Sequence, residues 1–110
     1  MTPEGKVLKD ILSVLESCAD VHVMRNSVGM ARHGQRRVRY GLENGSSDVV
    51  AIVSPRGRWL CIEAKAPGED AEPHQREWLE KMKSFGAVCG VARSSADAMA
   101  LLADAREESI

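Results

Sequence analysis

The chain of 110 residues has few aromatic side chains, few cysteines and no long apolar run. Two tryptophans, one tyrosine and one phenylalanine argue against a protein that binds single strands mainly by stacking bases. Cys18, Cys61 and Cys89 are odd in number and far apart, so neither a zinc site nor a disulfide framework is expected. The apolar runs are too short to cross a bilayer, and no segment of the secretory type opens the sequence. We therefore expect a cytoplasmic protein with no membrane partner.

Acidic residues are absent from one continuous stretch, between Asp20 and Glu43. Within it, residues 25–42 are rich in arginine and glycine, and their apolar residues show no strong periodicity. This composition predicts a hairpin arm or a mobile loop. A flexible arm of this composition grips phosphates through charge and forked hydrogen bonds, although a solubilising surface loop would look similar. The candidate DNA-binding residues of the arm are Arg25, Arg32, Arg36, Arg37 and Arg39.

Length and apolar patterning indicate a single α/β domain over residues 1–110. Helical periodicity predicts helices that begin at Pro3, at Pro73, and after Ser94 or Ser95, with Thr2 as the N-cap of the first. Short apolar runs predict strands over residues 21–24, 49–53, 59–66 and 87–92. The second and third strands should form an antiparallel hairpin, and the last should lie parallel to its partner after a helical crossover. The result would be a mixed sheet flanked by helices.

Three ionisable residues occur at the ends of two of these apolar strands. Asp48 directly precedes one strand, and Glu63 and Lys65 lie two apart in the next, where they point to the same face. Small residues, Gly45-Ser46-Ser47, come before Asp48 and are expected to leave room for a ligand. Burying charges is unfavourable unless they are paired or bind a metal, and two carboxylates suit Mg²⁺. The alternative is that Asp48 caps a turn while Glu63 pairs with Lys65 on a solvated face.

The metal interpretation assigns a role to each of these groups. Asp48 and Glu63 would bind the ion, and the backbone carbonyl of Ala64 would assist them. Lys65 would orient the attacking water and offset the charge that develops during phosphodiester hydrolysis.

Two further residues fit the same site. Gln75 lies in the first turn of the second predicted helix, on its inward face, where a buried amide needs partners. Glu4 lies at the start of the first helix. A plainer interpretation stays open for each, because Gln75 could cap its helix and Glu4 could complement the helix dipole.

Several short motifs follow one another in order along the chain. They are Glu4, Gly45-Ser46-Ser47-Asp48, Ile62-Glu63-Ala64-Lys65-Ala66-Pro67-Gly68, Gln75 within Pro-His-Gln-Arg-Glu-Trp-Leu, and Gly86-Ala87-Val88. From Glu4 to about Ser95, this ordered set resembles the VRR-NUC (virus-type replication-repair nuclease) domain, a branch of the PD-(D/E)xK nuclease superfamily. Ser47 stands where the superfamily usually has proline, a position that shapes the turn rather than the chemistry.

The resemblance implies a restriction-endonuclease-like fold with an αβββαβ core and Mg²⁺- or Mn²⁺-dependent cleavage of DNA. It implies Asp48 and Glu63 as metal ligands and Lys65 as the catalytic lysine. It also implies Gln75 and Glu4 as site residues. We interpret Gln75 as a catalytic residue that supports the metal-bound waters, and Glu4 as a residue that acts on a second ion or through water. Stand-alone members are similar to Holliday-junction resolvases in acting as homodimers on branched DNA, from which we expect a bacterial or viral protein with a role in DNA repair.

We therefore interpret the chain as a metal-dependent, structure-selective DNA endonuclease that hydrolyses phosphodiester bonds in branched DNA such as Holliday junctions. Two alternatives remain. One is a non-catalytic DNA-binding accessory module of the same fold, against which the intact Asp48, Glu63 and Lys65 speak. The other is a sequence-specific restriction-type nuclease, although no residues that would read base edges are recognisable.

Overall fold

The structure is a computed structural model that describes residues 1–107. The described helices are α1 (Pro3–Glu16), α2 (Pro73–Ser84) and α3 (Ser95–Arg106). The described strands are β1 (Val21–Arg25), β2 (Gly29–His33), β3 (Arg36–Tyr40), β4 (Val49–Val53), β5 (Arg58–Ala64) and β6 (Val88–Ala92). None of the helices in this part of the chain is long and apolar enough to span a membrane.

Four strands form one mixed sheet in the order β1-β4-β5-β6. Strands β1 and β5 run antiparallel to β4, and β6 runs parallel to β5. Helices α1 and α3 pack on one face of this sheet and α2 packs on the other. The mixed sheet flanked by helices, with its αβββαβ core, is confirmed.

Alternation along β5 decides which side chains face each layer. Leu60 and Ile62 are fully buried in the larger core, against the apolar stripe of α1 and the inner face of α3. Cys61 points the other way and packs with Trp78 of α2 in a smaller core. Because successive side chains of a strand alternate between faces, Glu63 points to the α2 side, at the end of that smaller core.

The starts of two helices follow the predicted capping chemistry. The Thr2 hydroxyl accepts a hydrogen bond from the Gly5 N–H at 3.0 Å, and Ser94, rather than Ser95, caps α3 by accepting from the Asp97 N–H at 3.1 Å. Each cap satisfies a backbone donor that the helix itself leaves without a partner. These caps fix where α1 and α3 begin.

The segment between β1 and β4 is a hairpin rather than a loop. Its strands β2 and β3 form a separate two-stranded sheet and pack chiefly against each other. Arg25 lies outside the hairpin, because it is the last residue of β1 and pairs with Val49. The predicted arm over residues 25–42 thus begins after β1.

The strand predicted over residues 59–66 ends earlier, at Ala64. It ends there because β4 begins at Val49 and β6 ends at Ala92, so that neither neighbour continues the ladder. Lys65 still donates its backbone N–H to the Ala92 carbonyl at 3.1 Å. Its side chain therefore leaves the sheet from a fixed main-chain position.

Candidate active site

Two carboxylates lie side by side where β4 begins and β5 ends. The register pairs Val49 with Ile62, and one further step sets Asp48 opposite Glu63. Asp48 Oδ2 accepts a hydrogen bond from the Ala64 N–H at 3.0 Å, which holds that carboxylate across the end of β5. The two acids that the sequence analysis paired are adjacent.

Glu63 is a buried acid, with 3% of its surface exposed. Burial, followed by the negative charge of Asp48, raises the pKa of Glu63 to about 9, although the Lys65 ammonium acts in the opposite direction. One carboxylate oxygen, Oε1, accepts from Gln75 Nε2 at 3.1 Å. The other, Oε2, is buried and has no hydrogen-bond partner within residues 1–107. Since Asp48 is itself an acceptor, this oxygen needs either a proton or a cation.

Lys65 is also buried, with 8% of its surface exposed. Its ammonium lies 3.5 Å from Glu4 Oε1, at the first turn of α1. The alternative in which Glu63 and Lys65 lie on a solvated face is therefore wrong, because both residues are buried. Glu4 contacts the site through the lysine.

Gln75 links the start of α2 to Glu63. Its Oε1 accepts from the Glu72 N–H at 2.8 Å, while its Nε2 donates to Glu63. The capping interpretation is confirmed, and the other end of the same amide contacts the buried acid. This hydrogen bond also determines which end of the Gln75 side-chain amide is the oxygen, because only the oxygen can accept from the Glu72 N–H.

The small residues before Asp48 allow the turn to pack closely against α2, and they do not leave space for a ligand. Gly45 has a φ of +85°, and a Cβ built on it would lie 2.6 Å from the His74 carbonyl oxygen of α2. Ser47 is fully buried, and its hydroxyl donates to the Val49 carbonyl at 2.9 Å. The expectation that these residues leave space for a ligand is replaced by a close fit of this turn against α2.

Sequence reasoning missed the residues that hold this turn from both sides. On the β1 side, the Asn26 amide nitrogen donates to Ser46 Oγ at 2.7 Å and to the Ser47 carbonyl at 2.8 Å. On the α2 side, Trp78 Nε1 donates to Glu43 Oε1 at 2.6 Å. A buried tryptophan in need of an acceptor was the one available signal, but nothing in the sequence pointed to its partner.

The arginines of the hairpin are divided between its two faces. Opposed residues of an antiparallel pair point to the same side, and Arg32 is opposed to Arg37 while Arg39 is opposed to Met30. Arg32, Arg37 and Arg39 therefore share one face. Arg36 lies on the other face, which also carries Ala31, Val38 and Tyr40.

Arg25 is separate from this group. In β1 it lines a groove beside α1, together with Leu8 and Leu12. Four of the five candidate arginines thus lie on the hairpin, and the fifth lies against the first helix.

The architecture and its acidic site agree with one known family. The family model of the VRR-NUC domain matches residues 9–96. This chain belongs to the VRR-NUC family. The matched range includes Asp48, Glu63, Lys65 and Gln75, and Glu4 lies outside it. The chain is accordingly a nuclease-type domain, as its motifs predicted.

A solved structure described as a VRR_NUC domain is similar to this VRR-NUC chain. The two share 24% sequence identity with a TM-score of 0.64, over 94% of this chain and 97% of the other. At this level of identity the match establishes a common fold. No curated protein matches the chain.

Nuclease domains of the VRR-NUC family generally use divalent metal ions. Across residues 1–107, no three histidine, cysteine, aspartate or glutamate side chains come together in a group that could hold a metal. Asp48 and Glu63 nevertheless fit such an ion, because they are adjacent acids and one buried oxygen of Glu63 has no partner among the described residues. Main-chain carbonyl groups, water and phosphate would have to complete the coordination, as is usual for Mg²⁺.

Proposed function

We propose that this VRR-NUC domain is a Mg²⁺- or Mn²⁺-dependent endodeoxyribonuclease that hydrolyses phosphodiester bonds in branched DNA. The observation that carries the proposal is the buried Oε2 of Glu63, which has no partner in the described chain and lies beside a second carboxylate. A buried acid beside a second, partly buried carboxylate is unfavourable in its ionised form unless something positive binds between the two groups.

Asp48 and Glu63 would hold the metal, with help from the Ala64 carbonyl. In an extended strand the N–H and C=O of one residue point to the same neighbour. Because the Ala64 N–H donates to Asp48, its carbonyl is directed toward the same acid. The bound metal would activate water and neutralise charge on the phosphate.

Lys65 is the group that would orient the attacking water and offset the charge that develops on the phosphate. Its contact with Glu4, at 3.5 Å, restricts where the ammonium can lie. This contact supports a role for Glu4 in positioning the lysine. Gln75 has a matching role for Glu63, because it donates to one carboxylate oxygen and leaves the other available.

The hairpin is the surface that would bind DNA. Residues 26–42, which follow β1 and include the hairpin, contain four of the 15 basic residues and none of the 16 acidic residues, so positive charge is concentrated there. Exposed guanidinium groups bind phosphates by charge and by paired hydrogen bonds. Backbone contacts of this kind recognise the shape of DNA rather than its sequence.

A homodimer is the state that the family resemblance implies. Cutting two opposing strands of a four-way junction requires two sites, and each chain would supply one. The proposal of branched DNA as substrate depends on this arrangement.

Cleavage assays on labelled four-way, flapped and linear DNA, with Mg²⁺, Mn²⁺ or EDTA, test the proposal. We expect branched DNA to be cut in either metal and no cutting in EDTA. Binding without cleavage in every metal would favour the accessory module, and cutting of linear DNA at fixed sites would favour the restriction-type nuclease.

Replacement of the buried lysine separates catalysis from binding. We expect Lys65→Ala to lower the cleavage rate roughly 10²- to 10³-fold, because a preorganised charge is lost, while DNA affinity changes little. Lys6→Ala is the matched control, since Lys6 is an exposed lysine of α1. Equal rates for the two variants would argue against a catalytic role for Lys65.

A further inference from the structure

Asn26 lies where three segments of the chain meet. It follows β1, and its backbone N–H donates to the Asp48 carbonyl at 2.7 Å, which extends the pairing of β1 with β4 by one residue. Its side-chain nitrogen donates to Ser46 and Ser47 in the turn that leads to Asp48. Its side-chain oxygen accepts from the Leu42 N–H at 3.1 Å, where the chain leaves the hairpin.

The two ends of this one carboxamide therefore bind two different segments. A primary amide has two donor hydrogens and one acceptor oxygen. In Asn26 both hydrogens are directed to the turn before Asp48, and the oxygen is directed to the exit of the hairpin. No other residue type of this length offers donors and an acceptor on one planar group.

The turn that Asn26 holds is firmly packed on its other side. Gly45 lies against the His74 carbonyl, and Glu43 accepts from the Trp78 indole. The hairpin, by contrast, packs chiefly on itself. Asn26 thus connects the exit of the hairpin to a turn that also contacts α2, and the residue at the end of that turn is Asp48.

We propose that Asn26 is a positioning residue that couples DNA binding by the hairpin to the placement of Asp48. The inference rests on the proposed function, in which the hairpin binds DNA and Asp48 binds the metal. Coupling between two binding sites is reciprocal, so DNA would raise the affinity for metal by the same factor as metal raises the affinity for DNA. Asn26 would contribute to that factor in addition to any direct contact between a DNA phosphate and the metal.

Two substitutions separate the two halves of this contact. Asn26→Asp keeps an acceptor for the Leu42 N–H but loses the donors to Ser46 and Ser47. Leu42→Pro removes the N–H and keeps the side chain of Asn26 intact. Leu42→Ala is the matched control, because it retains the N–H and the side chain of Leu42 is exposed.

The experiment measures Mn²⁺ affinity by titration calorimetry, with and without a non-cleavable phosphorothioate junction. We expect DNA to tighten Mn²⁺ binding in the wild type and in Leu42→Ala. Coupling between two binding sites typically changes affinity by about 5- to 150-fold, which sets the expected range. In Leu42→Pro and Asn26→Asp the factor should be clearly smaller than in Leu42→Ala, because only the direct contribution of a DNA phosphate to the bound metal remains. Hydrogen exchange of the metal-free wild type should also slow at Leu42 when DNA is added.

The outcomes distinguish this inference from the function on which it rests. An equal DNA effect in Leu42→Pro and Leu42→Ala would overturn the role of Asn26 while leaving the nuclease proposal intact. A wild type that binds neither DNA nor Mn²⁺ would overturn both. Should Asn26→Asp fail to fold, the comparison of the two Leu42 variants still decides the question.

Discussion

At the scale of single residues, the site is defined by an acid in an environment that opposes its charge. Glu63 occupies a strand whose neighbours, Cys61, Ile62 and Ala64, are buried, and this context made it a candidate from the sequence. Asp48 could be predicted beside it because the two strands read as a hairpin. That no described residue donates to Glu63 Oε2 could not be predicted, because this depends on where every neighbouring group points.

The raised pKa of Glu63 predicts how the stability of the metal-free protein depends on pH. Between the ordinary value of 4.5 and about 9, Glu63 is ionised when unfolded and protonated when folded. Folding then takes up a proton, so its contribution to stability is complete below pH 4.5 and is lost as the pH rises toward 9. The slope is at most about 1.4 kcal/mol per pH unit.

Urea unfolding in EDTA at several pH values between 5 and 8 measures this slope. We expect Glu63→Gln to flatten it, whereas Glu77→Gln, at an exposed position of α2, should leave it unchanged. Identical slopes for wild type and Glu63→Gln would show that the buried acid does not carry the titration.

At the scale of elements, local patterns predicted the regular parts well. The apolar period and Thr2 predicted α1, and short apolar runs predicted β4 and β5. The hairpin was less certain, because its strands bury little and therefore lack an apolar alternation. The side-chain contacts of Asn26 were missed, because they join residues 16 to 21 positions apart and give no periodic pattern in the sequence.

The turn before Asp48 should tolerate no side chain at Gly45. We expect Gly45→Ala to destabilise the fold by more than about 2 kcal/mol, because it adds a contact with the His74 carbonyl to the strain of a positive φ. Gly57→Ala is the control, since its φ is +69° and its surroundings are open, so only about 1 kcal/mol is expected. Chemical denaturation compares them, and equal losses would mean that the turn can move away from α2.

The faces of the hairpin predict unequal contributions to DNA binding. We expect the triple variant Arg32→Ala, Arg37→Ala, Arg39→Ala to reduce the slope of log affinity against log salt by about 2.7, if each arginine meets one phosphate. Arg36→Ala, on the other face, should change the slope much less. Fluorescence anisotropy over a range of salt concentrations measures the slopes, and an effect of Arg36→Ala as large as one third of the triple variant would contradict this division.

At the scale of the whole molecule, the chain is nearly neutral, but its positive and negative charges are unevenly distributed. The formal net charge is −1, yet the hairpin carries four arginines and no acidic residue. The described chain is elongated, with extents of 50 × 29 × 26 Å. An acidic body would repel DNA except where the hairpin binds it, which favours approach in one orientation.

The oligomeric state is a prediction at the same scale. We expect light scattering to give about twice the chain mass of 12.0 kDa, because two sites are needed to cut both strands of a junction. The measurement should be made over a range of protein concentrations, with and without junction DNA. A single-chain mass under all these conditions would exclude the dimer and favour cutting of one strand at a time.

The hydrogen bond between Trp78 and Glu43 gives the protein an internal optical probe. The chain has two tryptophans, of which Trp59 is 47% exposed and Trp78 is 7% exposed. In a Trp59→Phe variant all indole emission would come from Trp78, whose ring is hydrogen-bonded to Glu43 in the turn before Asp48. Its wavelength would then follow the movement of that turn in real time, with no attached dye.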